Sequence, residues 1–345
     1  MYKTRATLTM IAALISSTAV AEELSAVGTW SNVQVYQEFE EPFWTEKLSD
    51  LTNGEFTAQI TSLDQMGIAG DDVYRMLGDG VFDVGTTIAD YAVSDAPGLE
   101  GLDVPLLAST PTEARAMIEA AAPMVEGIMR DRFNSQSLGI IPHAPQVLFC
   151  REEIRSLADL KNRKVRGSGR MTTKFLEALG AEGVNLAFSE VPGSLERGVI
   201  DCAVTGSSSG YGAGWWEVTD YVVNMALGGW DPAVVAINAD RYDAMTAEQQ
   251  ETLKNAVTEG LVNFAWDAAE GGLQQDFACL TGNGDCAAGT AASMTLVELS
   301  SEDVAAARQV LIDVVLPEWA ERAGPEVTAQ WNDTVGKIVD VTISQ

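Results

Sequence analysis

The chain alternates short apolar runs with stretches of helical periodicity, the pattern of an α/β protein. "LSAVGTW" (24–30) reads as a first strand, and "EEPFWTEKLSDLT" as a helix closed by Asn53-Gly54. "EFTAQITS" alternates apolar and polar positions as a half-buried strand does. "DDVYRMLGDG" is a helix stopped by Gly80, and "VFDVGTTI" is the next strand. A helix is predicted from Arg115 to Arg130, and "LGIIPHAPQVLFC" holds one or two strands. "SLADLKNR" gives a helical turn, "KVRGS" a short strand, "TTKFLEALG" a helix ended by Gly180, and "GVIDCAVTG" a further strand. Thr246 and Gln249 have capping-box spacing; Leu253, Val257, Leu261, Phe264 and Ala268 then fall on one helical face. That helix is expected to run toward Phe277, kinked or interrupted at Gly271-Gly272. A last helical region, "SSEDVAAARQVLIDVVLPEWAERA", is expected to be cut or kinked at Pro317. No repeat or disordered linker is visible, so two lobes would be joined by crossing strands or helices.

At 345 residues, 46% of them apolar, the chain is long enough for two cores. It has 21 Lys+Arg against 50 Asp+Glu, a net charge of −29. Such a field repels nucleic acid and anionic membrane, so neither is expected as a partner. Lys3 and Arg5, the apolar "ATLTMIAALISSTAV" and the small-residue "AVA" (19–21) make a leader, with cleavage expected after Ala21. Cleavage there removes two cations and no acid, leaving about −31. No later run has the ~20 apolar residues of a spanning helix, so an exported protein of the periplasm is expected.

Four cysteines suit an oxidising compartment. Cys279 and Cys286 flank "LTGNGD" and are expected to close a small disulfide ring, whereas pairing of Cys150 with Cys202 is left open. The cysteine spacing matches no zinc pattern and His143 is the single histidine, so no metal is expected. No phosphate or dinucleotide loop follows a strand, so no cofactor is expected either. "GSSSG" (206–210) matches the nucleophile-elbow pattern with Ser208 at its centre, but His143 lies on the wrong side of it in sequence for that fold. The same hydroxyl-rich loop is suited to holding a small polar ligand. Trp215, Trp216 and Trp230 read as core residues or as walls of a pocket.

Positive charge is concentrated in "LADLKNRKVRGSGR" (157–170). Lys161, Arg163, Lys164 and Arg170 read as a solvated face. Arg166 differs: it ends a short strand beside Gly167, where α/β folds bind ligands, and its guanidinium can fork onto a carboxylate.

From Leu157 to Gly206 the sequence resembles the substrate-binding proteins of tripartite ATP-independent periplasmic (TRAP) transporters, the DctP-like family. "SLADLKNRKVRG", "LEALGAEGVNLAFSEV" and "LERGVIDCAVTG" carry the likeness in order and spacing. "FWTEKLSDLTNGEF", "GDGVFDVG", "GLDVPLL" and "INADRYDAMTAEQQETLKNAV" extend it weakly over nearly the whole chain. The resemblance implies a two-lobed periplasmic binding protein fold, α/β, with a ligand cleft and a long bridging helix. It implies a small-molecule carboxylate ligand, TRAP permease subunits as membrane partners, and no enzymatic activity. The family arginine that pairs with the substrate carboxylate falls on Arg166. Gln146 stands where many members have a second arginine, which argues against a C4-dicarboxylate. Thr205 aligns with a frequent site asparagine, beside Ser207 and Ser208. Phe188, Trp30 and Tyr91 align with or near site segments, and Trp230 is added as a wall.

The expected division is a leader (1–21), lobe I (22–143), lobe II carrying Arg166 (144–231), a return to lobe I with the bridging helix (232–271), and lobe II with C-terminal helices (272–345). A monomer is expected. An exported serine hydrolase using Ser208 and a ligand-sensing subunit of a signalling receptor are the alternatives.

Overall fold

The computed structural model describes residues 21–227 and 229–344; the body of the expected leader lies outside the described residues. Two sheets organise the chain. The first contains β1 (Glu22–Gly28), β2 (Phe56–Ser62), β3 (Val84–Ile88), β4 (Ser135–Ile141) and β10 (Ala233–Asn238), in the order β2-β1-β3-β10-β4. The second contains β5 (Gln146–Cys150), β6 (Lys164–Arg166), β7 (Glu182–Val184), β8 (Cys202–Gly206), β9 (Tyr221–Val223) and β11 (Thr295–Val297), in the order β11-β9-β5-β8-β6-β7. The inner strands β3, β5, β8 and β10 are buried along their whole length, which explains their near-continuous apolar and small composition. Edge strand β2 keeps the alternation read from its sequence.

The chain crosses from the first sheet to the second between β4 and β5, and returns between β9 and β10. The two crossings are tied together: His143 N–H donates to the Trp230 carbonyl at 3.1 Å, and Gln146 N–H to the Gly229 carbonyl at 2.9 Å. A third connection is helical. Ala247–Val257, a π turn at Thr258–Val262 and Asn263–Thr281 run on without a break, roughly 50 Å of helix. Its first half buries Leu253, Val257 and Leu261 in the core of the first sheet; its end buries Phe277 and Leu280 with Phe149 and Trp215 of the second.

The break expected at Gly271-Gly272 does not occur. Both glycines lie inside Asn263–Thr281 and face open space. Their helix penalty of about 1 kcal/mol each is outweighed by the burial of the flanking turns. At Pro317 the chain is not cut: Ser301–Val310, a π turn at Leu311–Val315 and Leu316–Ala323 run on with helical backbone throughout. The π turn shifts the hydrogen-bond register just ahead of the proline, which has no N–H to give. These C-terminal helices pack on Pro97–Leu102, on Pro111–Phe133 and on the helix Arg170–Ala178.

Candidate functional site

The carboxyl ends of parallel strands from both sheets meet at one cleft, the arrangement in which α/β sheets offer ligands loop backbones and helix starts. Trp30 follows β1, Tyr91 follows β3, Arg166 ends β6, Phe188 follows β7, and Thr205 lies next to the end of β8. All five line one small, part-closed cavity. Val33, His143, Ser168, Ser209 and Asp231 complete its wall.

Arg166 is 2% exposed. Its Nη1 donates to the Val204 carbonyl at 2.7 Å and its Nε to the Leu186 carbonyl at 3.2 Å. These bonds fix the guanidinium plane against β8 while its charge faces Tyr91 and Asp231. Burial pushes the Tyr91 hydroxyl up to about 12 although the arginine pulls the other way, so Tyr91 is a neutral donor. Trp30 meets Tyr91 edge-on at 5.7 Å between ring centroids and meets Phe188 at the same distance.

The opposite wall is acidic and comes from the paired crossings. Asp103 Oδ1 accepts the N–H groups of Trp230 at 2.7 Å and Asp231 at 2.8 Å. That carboxylate presses so close to Gly229 that a Cβ there would lie 2.2 Å from Oδ1, and Gly229 has φ +80, so only glycine fits. Asp231 is itself left-handed, with φ 48. Burial pushes its carboxyl up to about 6, opposed by Arg166 and then by neighbouring Gln146. Burial likewise holds Asp103 and Asp90 well above the usual carboxylate range. Asp90 fills the space beside Gly169, where a Cβ would fall 1.4 Å from its Oδ2, so the start of the Arg170–Ala178 helix docks directly on an acid of the other sheet.

His143 is buried, and burial lowers it to about 4. Its Nδ1 lies 3.2 Å from the Asp231 carbonyl, an acceptor only, so Nδ1 carries the proton and Nε2 is a bare acceptor. Among the described residues that Nε2 has no partner, and neither amide atom of buried Gln146 makes an aligned hydrogen bond.

The remaining residues singled out from sequence lie elsewhere. Trp230 is not a wall: its ring is in the core and its Nε1 donates to the Ala108 carbonyl at 3.1 Å. Ser207 is fully buried and donates to Asp276 Oδ2 at 2.5 Å, tying the end of β8 to the long helix. Burial raises that Asp276 to about 6, while Ser207 and the Ser208 N–H ease its charge. Ser208 does not line the cavity, and among the described residues no hydrogen bond joins it to His143, whose Nδ1 is engaged with Asp231. In the basic stretch, Lys161 and Lys164 are exposed as expected. Arg163 instead pairs with Glu152, and Arg170 reaches Glu318 at 3.1 Å and buried Glu100 at 3.7 Å. Two disulfides are present. Cys279–Cys286 closes the expected ring, and Cys150–Cys202 joins register partners on β5 and β8 at the end of that strand pair remote from the cavity.

Two α/β lobes, a helix shared between them and a polar cavity at the facing strand ends define a solute receptor. The sequence model of the bacterial extracellular solute-binding proteins, family 7 (DctP), matches residues 29–321, and the chain belongs to that family. Its structural neighbours are TRAP-type receptors. DctP7 of Bordetella pertussis, an extracytoplasmic solute receptor binding pyroglutamic acid, superimposes with TM-score 0.79 at 20% identity, over 91% of this chain and 99% of that one. A TRAP periplasmic solute-binding protein from Desulfovibrio salexigens with bound orotic acid gives 0.79 at 17% identity, over 92% of this chain and 99% of that one. The ectoine/5-hydroxyectoine-binding periplasmic protein UehA of Ruegeria pomeroyi is 23% identical over 208 residues, 59% of this chain and 61% of that protein. The match therefore spans less than two thirds of that relative.

Proposed function

We propose that this protein is the periplasmic receptor of a TRAP transporter that captures a small organic acid and hands it to the membrane permease. The observation that carries the reading is Arg166: a buried guanidinium, its plane fixed by two backbone carbonyls, lining a part-closed cavity where the facing strand ends meet. A carboxylate placed there gains a charge-assisted fork, with Thr205, Ser168, Ser209 and Tyr91 as further hydrogen-bonding groups. Trp30 and Phe188 supply the apolar wall. One such fork plus ring contact is compatible with micromolar affinity, about −8 kcal/mol. The protein acts as a monomer, after loss of its leader, and catalyses no reaction. Separation of Ser208 from the cavity and from His143 speaks against the hydrolase alternative.

A thermal-shift screen of organic acids on the mature protein tests this. Pyroglutamate, orotate and ectoine head the screen, because the named relatives bind them. A ligand at 100 times its Kd stabilises the protein by about 2.7 kcal/mol. Absence of any shift across carboxylates, or a shift that survives in Arg166→Ala, would count against the reading.

A further inference from the structure

The cavity is not simply a basic socket. Its Arg166 wall donates hydrogen bonds. Asp231 and His143, from the paired crossings, face it as acceptors. Asp231 lines the cavity with its backbone in a left-handed conformation, a state that costs an L-residue energy and is held here by the Asp103 carboxylate on two successive N–H groups. Beside it, His143 Nε2 is a buried acceptor without a partner among the described residues. Gln146, buried at the start of β5 next to Asp231 but outside the cavity lining, makes no aligned hydrogen bond among the described residues.

An acceptor left bare in a buried site is costly unless a ligand supplies the donor. Charge sharpens the requirement. Among the described residues that line the cavity, Arg166 is the one cation facing Asp231. A bound carboxylate competes for that guanidinium and leaves two buried anions sharing one cation. A ligand carrying its own cation removes the conflict. Resting on the carboxylate-receptor reading above, we infer that the solute is a small zwitterion, its carboxylate on Arg166 and its protonated nitrogen on Asp231 and His143 Nε2, enclosed by Trp30 and Phe188. Asp231 is thus the specificity residue: it admits amino-acid-like, amidinium or related carboxylates and disfavours plain acids of the same size.

Two matched panels test this on the full mature protein by thermal shift, followed by calorimetry of whatever binds. One holds small zwitterions: L-proline and other cyclic and open-chain amino acids, ectoine and betaines. The other holds isosteric acids without a charged nitrogen, with pyroglutamate and cyclopentanecarboxylate as the partners of L-proline. The tightest ligand is expected in the zwitterion panel, and this ranking needs no variant. Asp231→Asn should weaken that ligand at least tenfold while leaving the plain acids unchanged or improved; Asp231→Glu should retain part of the affinity. A tightest ligand from the acid panel, no shift with any zwitterion, or less than a twofold loss in Asp231→Asn overturns the inference. The Arg166→Ala arm separates the two claims. Binding kept there sinks the carboxylate anchor itself; binding lost there but kept in Asp231→Asn sinks only the zwitterion.

Discussion

Trp30 and Phe188 face one another across the cleft with ring centroids 5.7 Å apart, one ring from each sheet. Phe188 in turn packs on Trp215 at 5.5 Å, so the contact is anchored in the core of the second lobe. A ligand held between the lobes must lie against this pair. Phe188→Ala should therefore weaken binding by about 1–2 kcal/mol, or roughly 5- to 30-fold, with a much smaller effect on the unliganded protein. Calorimetry beside melting of the apo protein separates the two effects. Unchanged affinity would show that the rings only pack on each other.

Arg166→Ala should cost ~2–5 kcal/mol of binding, roughly 30-fold to several thousand-fold, because the ligand carboxylate stays desolvated without its partner. Arg166→Lys should also lose most affinity, since an ammonium cannot reproduce the fork. Lys161→Ala, at an exposed position, should change affinity by less than ~1 kcal/mol. Equal losses across the three variants would show a collective field instead of one anchor.

Glu40 holds the turn that carries Trp30. Its Oε2 accepts from the Thr29 N–H at 2.9 Å and from the Thr29 hydroxyl at 2.5 Å. Burial pushes this carboxyl from 4.5 up to about 7. The folded value lies above the unfolded one, so the stability linked to this proton is present in acid and is lost as pH rises toward and through 7. Glu40→Gln keeps the accepting oxygen and cannot ionise. The two proteins should melt together near pH 4, and by pH 8 the variant should be the more stable by up to about 3 kcal/mol. A stability difference that does not grow between these pH values would contradict the assignment.

Free-thiol counting on denatured, unreduced protein should find none, since both cysteine pairs are bonded. The pairs are unequal. Cys150–Cys202 spans a sequence separation of 52 and Cys279–Cys286 one of 7. Chain entropy assigns them roughly 4 and 2 kcal/mol. Replacing the first pair by alanine should lower the melting temperature more than replacing the second. The reverse order would place the value of the short ring in native contacts.

Much of the site is legible locally. Arg166, Thr205 and Phe188 follow strand ends inside one collinear stretch, and Trp30 and Tyr91 follow strands whose apolar pattern is plain. An arginine stands out in a chain this acidic. Asp231 does not: as one of 50 acidic residues it carries no contrast. His143 likewise lies in a crossing that shows no periodicity, whereas Gln146, at the start of β5, is legible through the family resemblance. The role of Asp231 and His143 arises only where the two crossings pair, far apart in sequence. The choice of Trp230 shows how fine the margin is. The left-handed turn at Asp231 sends the tryptophan ring into the core and puts Asp231, the next residue, in the cavity wall.

The sequence by itself determined what local pattern can encode: the α/β alternation, most helices and strands, the cap at Thr246, the ring cysteines and the arginine at the end of β6. Tertiary structure decided what depends on distant partners. It inserted β10 between β3 and β4, carried the long helix unbroken through Gly271-Gly272, and set Cys150 opposite Cys202. It also placed an acidic wall opposite Arg166. Strand order and buried charge are settled by the free energy of the assembled core, where desolvation and long-range pairing outweigh the preferences of any one segment.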